Sequence, residues 1–186
     1  NSSYCTGDSV DFQNTGTSAA IYSWDFGSGA TPTTSASENP LNVVYSLPGI
    51  KSVKLVTTLG TCKDSIIQTI NLTETPAPAF STSFIAPNAQ CEGAAVNFTY
   101  TSTTDTNWTY LWNFCVGATP SSSSVKNPVG VVYSNSGSKT VLLTLSNGLC
   151  SEVATATFTI NQTPVASFTS NSSYCTSDPV DFQNTG

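Results

Sequence analysis

Six cysteines, at positions 5, 62, 91, 115, 150 and 175, are the residues of this 186-residue chain best suited to chemistry. A metal or redox centre would call for Cys-x-x-Cys pairs or interleaved imidazoles. The chain has no such pair and no histidine. The cysteines therefore read as structural thiols of an oxidising compartment. Cys5/Cys62 and Cys91/Cys150 recur at separations of 57 and 59. That recurrence suggests one bridge in each of two segments, each removing ~4 kcal/mol of unfolded-chain entropy. Cys115 is expected to pair with Cys91 or to stay a free thiol, and Cys175 to find its partner outside this segment or remain unpaired.

The remaining side chains exclude more than they offer. Histidine, arginine and methionine are absent, which removes Ser-His-Asp and Cys-His nucleophilic catalysis and ordinary zinc sites. Eleven acids against five lysines give net −6, the wrong sign for nucleic acid or an anionic membrane surface. No Asp-x-Asp-x-Asp loop is present, so no calcium cage is written in one segment. A calcium site assembled at a joint between domains is the one cofactor weighed; otherwise none is expected. A carboxylate pair for glycoside hydrolysis would also need a cleft that small sandwiches with short loops do not offer. The expectation is a non-enzyme. No apolar run approaches the ~20 residues of a membrane span, and without a starting Met or a signal segment the sequence reads as a piece of something longer.

The chain repeats itself at two scales. Residues 1–16 return at 171–186 with only Gly7/Ser177 and Ser9/Pro179 different, so a unit of 170 residues recurs. Within it, Trp24-Asp25-Phe26 matches Trp112-Asn113-Phe114, Gly29-Ala30-Thr31-Pro32 matches Gly117-Ala118-Thr119-Pro120, and Val43-Val44-Tyr45-Ser46 matches Val131-Val132-Tyr133-Ser134, all offset by 88. The underlying period is one domain of about 85 residues in two alternating versions, the mark of an array. Proline-containing joints at Thr75-Pro76-Ala77-Pro78 and Thr163-Pro164 set the expected boundaries. They give a first repeat, 1–74, lacking its opening strand, a complete second repeat, 75–162, and the first strands of a third, 163–186.

These repeats must position the cysteines through strands. Serine and threonine fill 57 of 186 positions and charged residues only 9%, yet period-two apolar runs recur between Gly, Pro and Asn clusters. Tyr22/Trp24/Phe26, Val43/Tyr45, Tyr110/Trp112/Phe114 and Val131/Tyr133 mark inward faces. The expected fold is all-β, with tandem antiparallel sandwiches of about seven strands arranged end to end. Trp24 and Trp112 could stack on sugars, but their alternation with neighbouring aromatics assigns them, with Tyr45 and Tyr133, to the core. Trp108 follows the polar stretch 101–107 and is read as out of strand phase, which makes it the candidate exposed aromatic contact.

Trp-Asp-Phe-Gly-x-Gly at 24–29, then Asn39-Pro40, Val43-x-Tyr45-Ser46, Pro48-Gly49 and Val53-x-Leu55 resemble the PKD domain, an immunoglobulin-like sandwich of extracellular proteins. The resemblance covers both repeats. Gly27-Ser28-Gly29 and Cys115-Val116-Gly117 depart from that family's Gly-Asp-Gly turn, which weakens any calcium site inferred from it. The near-identical tandem units also resemble the giant gliding-motility adhesins of Bacteroidota, of the SprB type. By that resemblance Asp8-Ser9-Val10 and Asp64-Ser65-Ile66 match an O-glycosylation motif, with Ser9 and Ser65 as attachment points.

An immunoglobulin-like strand order also bears on the disulfides. It places the cysteine before the second strand and the cysteine before the last at opposite ends of one sandwich, beyond the ~7 Å Cα limit. Cys5 of the first repeat could then meet Cys150 of the second. Pairing within each repeat is the reading preferred here, with the interdomain staple as its alternative.

The function implied is a stalk or filament module of a long cell-surface adhesin, extending a distal adhesive region. Its expected partners are neighbouring repeats of the same chain, with surface glycans or proteins and lateral self-association as further candidates. Direct glycan or protein binding is the alternative, followed by an accessory role beside a secreted hydrolase.

Overall fold

The computed structural model describes residues 3–18, 21–84, 90–103, 107–170, 173 and 175–185. Their regular elements are all strands: β1 Ser3–Cys5, β2 Ser9–Val10, β3 Ile21–Asp25, β4 Ala30–Thr31, β5 Thr34–Ser35, β6 Val43–Tyr45, β7 Gly49–Leu59 and β8 Cys62–Thr73. There follow β9 Phe80–Phe84, β10 Ala95–Tyr100, β11 Thr109–Asn113, β12 Ala118–Thr119, β13 Ser122–Ser123, β14 Val131–Tyr133, β15 Gly137–Ser146, β16 Ser151–Ile160, β17 Phe168–Ser170 and β18 Phe182–Asn184. By compactness the chain divides into two units. One is Asn1–Ala79 with Thr101–Leu111 and Leu143–Ala154; the other is Phe80–Tyr100 with Trp112–Leu142 and Thr155–Gly186.

The strand order is that of an immunoglobulin-like sandwich. Residues of the second repeat form one sheet in the order β12-β14-β10-β9 and another in the order β13-β11-β15-β16. With β9, β10, β11, β14, β15 and β16 lettered A, B, C, E, F and G, strands A, B and E lie in one sheet and C, F and G in the other, the division of an immunoglobulin-like sandwich. The first repeat has two corresponding sheets, β2-β6-β4, with no described counterpart of β9, and β1-β8-β7-β3-β5, which adds β1. Strand β1 runs parallel to β8, with Cys5 opposite Thr73.

Alternation explains which residues the sheets bury. Along β11, Leu111 and Asn113 face solvent while Trp112 and the following Phe114 are wholly buried. Trp112 Nε1 donates to Val125 O at 2.9 Å, and Trp24 Nε1 donates to Ser37 O at 2.9 Å. Each indole thereby satisfies its one polar atom while its rings fill the core. The two repeats build the same aromatic stack: Trp24–Phe26 and Trp112–Phe114 both lie at 6.0 Å and 17°. Tyr45 and Tyr133 are fully buried on the facing sheets.

Trp108 corrects the sequence reading. It is buried, only 7% exposed. Counting in twos from Trp112 reaches Tyr110 and then Trp108, so it lies in phase with the inward face.

Truncating Trp112→Ala is expected to cost ~3–5 kcal/mol in urea unfolding, whereas Leu111→Ala, one residue away on the outer face, should stay within ~0.5 kcal/mol. Equal effects at the two positions would contradict the assigned faces.

Candidate functional site

The structure joins Cys5 to Cys150, with a Cα–Cα distance of 5.8 Å across a sequence separation of 145. Two local designs bring them together. On the first side, the parallel register of β1 sets Cys5 against Thr73, the last residue of β8. A tight turn fixes the chain just beyond it. Asp8 N donates to Cys5 O at 3.1 Å, Cys5 N donates to Asp8 Oδ2 at 3.3 Å, and Gly7 N donates to Tyr45 O at 2.9 Å. Gly7 sits at φ +89, a left-handed conformation that glycine adopts without steric cost.

On the second side, Cys150 lies at the tip of the hairpin joining β15 to β16. Asn147 organises that tip. Its Oδ1 accepts from Leu149 N at 3.1 Å and from Cys150 N at 2.8 Å, and its own N–H donates to Cys150 O at 3.1 Å. Asn147 Nδ2 also donates to Glu74 O at 3.3 Å. Cys150 is 2% exposed, and its sulfur lies 3.9 Å from Thr73 O.

The pairs expected within each repeat, Cys5–Cys62 and Cys91–Cys150, are therefore not the ones formed. Cys62 is an exposed free thiol. The reason is strand length. Cys5 stands at the end of β8 and Cys62 at its beginning, and β8 has 12 residues. That separates the two by ~36 Å at ~3.3 Å per residue, far beyond disulfide reach. The second repeat repeats the geometry: Cys91 bridges in parallel to Asn161, at the end of β16, while Cys150 precedes its start.

Cys115 and Cys175 are free thiols, half-buried and exposed respectively. Cys115 occupies the turn position of Gly27, at φ +64, and its N–H donates to Asn113 Oδ1 at 3.0 Å as Gly27 N does to Asp25 Oδ1 at 2.9 Å. Burial pushes the Tyr45 hydroxyl up to about 12, with Asp25 adding to the effect. Burial, then Cys115, raises Tyr133 as well. Both phenols thus keep their protons at ordinary pH. Tyr45 OH donates a hydrogen bond to Phe26 O at 3.0 Å, while Tyr133 OH finds no hydrogen-bond partner among the described residues.

A cavity of about 590 Å³ opens on the first repeat, lined by Phe12, Trp24, Leu55, Ile66 and Ile70 among others. In the second repeat, strand β9 lies alongside β10 and seats Phe80 against Trp112 at 4.9 Å and Phe98 at 6.3 Å. Among the described residues no strand answers to β9 beside Phe12. The cavity is thus the flank of a sandwich core. Its carboxylates Asp11 and Asp64 each accept a backbone N–H, from Asn42 at 2.8 Å and Ser65 at 2.8 Å. Among the described residues no three of His, Cys, Asp and Glu are grouped as metal ligands would be. Ser9 and Ser65 are both exposed, and Ser9 Oγ donates to Asn42 Oδ1 at 3.1 Å.

No protein-family model matches this sequence, and no curated protein matches it. Among solved structures, extracellular domains 3–5 of Drosophila OTK align at 11% identity with a TM-score of 0.40, over 84% of this chain and 57% of that one. The I-band fragment I67–I69 from titin aligns at 15% identity and TM-score 0.34, over 99% and 72%. An amphioxus IgVJ-C2 molecule aligns at 11% and 0.33, over 85% and 98%. The fold assignment rests on the strand order given above.

Alkylation of the native, unreduced chain should label Cys62, Cys115 and Cys175 and spare Cys5 and Cys150, which peptide mapping should recover as one linked pair. Recovery of Cys5 linked to Cys62 would contradict the register of β1.

Proposed function

We propose that the chain is a structural stalk or filament segment of a long extracellular cell-surface protein of the adhesin kind, built from PKD-like repeats. The repeats are the ones read from sequence, 1–74, 75–162 and 163–186, laid end to end. The observation that carries this reading is the Cys5–Cys150 bond, which ties the first sequence repeat to the second. A disulfide of this kind persists in oxidising surroundings, which supports an extracellular location. Near-identical recurrence of a 170-residue unit supports a spacer, because each copy adds length without adding chemistry. The burial of Trp108 and Trp112 takes away the aromatic platforms on which a direct glycan-binding reading would depend. Low charge and many hydroxyls suit a weakly interacting flank, and Ser9 and Ser65 remain candidate glycan attachment points on it.

Small-angle scattering on chains of one, two and three consecutive units should give a maximum dimension that grows in proportion to unit number. Growth as a low power of length, as for a compact globule, or a broad distance distribution typical of flexibly strung beads, would contradict the stalk.

A further inference from the structure

The Cys5–Cys150 bond uses two positions that each repeat possesses, one at its start and one at its last hairpin. The start position is built alike wherever it occurs. Thr6 N donates to Thr73 O at 2.9 Å, and Glu92 N donates to Asn161 O at 3.0 Å. Gly7 N and Gly93 N donate to Tyr45 O and Tyr133 O, both at 2.9 Å. Asp8 N, Ala94 N and Asp178 N donate to the carbonyls of Cys5, Cys91 and Cys175, all at 3.1 Å. Thr75 Oγ1 donates to Thr6 O as Thr163 Oγ1 does to Glu92 O. At the third start, Ser177 keeps the left-handed turn of Gly7, at φ +81.

The hairpin position also recurs. Leu59-Gly60-Thr61-Cys62 corresponds to Asn147-Gly148-Leu149-Cys150 at an offset of 88, with Gly60 at φ +62 and Gly148 at φ +91. Cys62 is exposed, and beside it Leu59 is 57% exposed. Where Asn147 reaches Glu74 O, the first hairpin thus carries an apolar side chain in solvent.

We propose that the array is stapled serially, each start cysteine bonding the hairpin cysteine of the repeat that follows. Cys5 takes Cys150 in the structure. By the same rule Cys91 takes the Cys62 of a following copy of the unit, and Cys175 takes a following Cys150. Leu59 is then covered at the contact made by its own hairpin. Each bond forms by thiol–disulfide exchange. Two cysteine thiols give up two protons and two electrons to a disulfide oxidant of the oxidising compartment, small or protein-borne, which leaves as two thiols.

This inference rests on the array reading and is tested on the whole chain extended in phase by one further copy, residues 1–170 followed by 1–186. Cys62 of the first copy is replaced, Cys62→Ser, so that any Cys62 peptide comes from the second copy. After refolding with oxidised glutathione, peptide mapping should show Cys5–Cys150 in both copies and first-copy Cys91 linked to second-copy Cys62. Moving the Cys62→Ser change to the second copy should abolish that link and leave Cys5–Cys150 intact. Cys5–Cys150 formed with first-copy Cys91 and second-copy Cys62 both alkylated, or with Cys91 linked to Cys115, would overturn the serial staple and leave the structural module standing. Absence of Cys5–Cys150 from both copies would overturn the module reading and this inference with it.

Discussion

A covalent bond between residues 145 apart in sequence sets the terms for everything else in this chain. Cys5 can reach Cys150 only because β1 enters parallel to β8 and stops beside its last residue, Thr73. Cys150 can be reached only because Asn147 holds the β15–β16 tip in a fixed shape with three hydrogen bonds. The sandwich cores serve this arrangement. Tyr45, on the facing sheet, offers its carbonyl to the turn that follows Cys5 while its ring lies in the core and its hydroxyl is bound to Phe26 O. Packing, turn and bond are therefore coupled at one place.

The two repeats show how far the scaffold tolerates change. Asp25 becomes Asn113 and Gly27 becomes Cys115, yet the same side-chain oxygen caps the same N–H. The cost falls on the residue that replaces glycine, since Cys115 must adopt a positive φ that side chains disfavour. Tyr133 differs too: its hydroxyl has no hydrogen-bond partner among the described residues, whereas Tyr45 has Phe26 O.

The period-two pattern makes the fold and most of its core legible in the sequence. Trp24, Trp112, Tyr45 and Tyr133 were legible because alternation on a strand is a local property, visible in five residues. Trp108 is legible by parity, although the polar run before it interrupts the apolar pattern. The cysteine partners were not readable from spacing. Their nearly equal separations of 57 and 59 record that both positions recur in every repeat, which holds whether each bonds inside its own repeat or to a neighbour. An immunoglobulin-like strand order argues for the neighbour, and the direction in which β1 runs against β8 decides it. That is a long-range pairing, and neither strand encodes it alone.

The bond also determines how tension would pass through the chain. Pulled from its two ends, the chain transmits force from Cys5 directly to Cys150, and the residues between them cannot extend until the sulfurs part. Single-molecule force–extension of the whole chain, tethered at its ends, with and without a reductant, tests this directly. The account predicts that reduction releases an additional contour length of ~500 Å, the 145 residues at ~3.3–3.6 Å each. Full extension of the unreduced chain, with no gain on adding reductant, would contradict it.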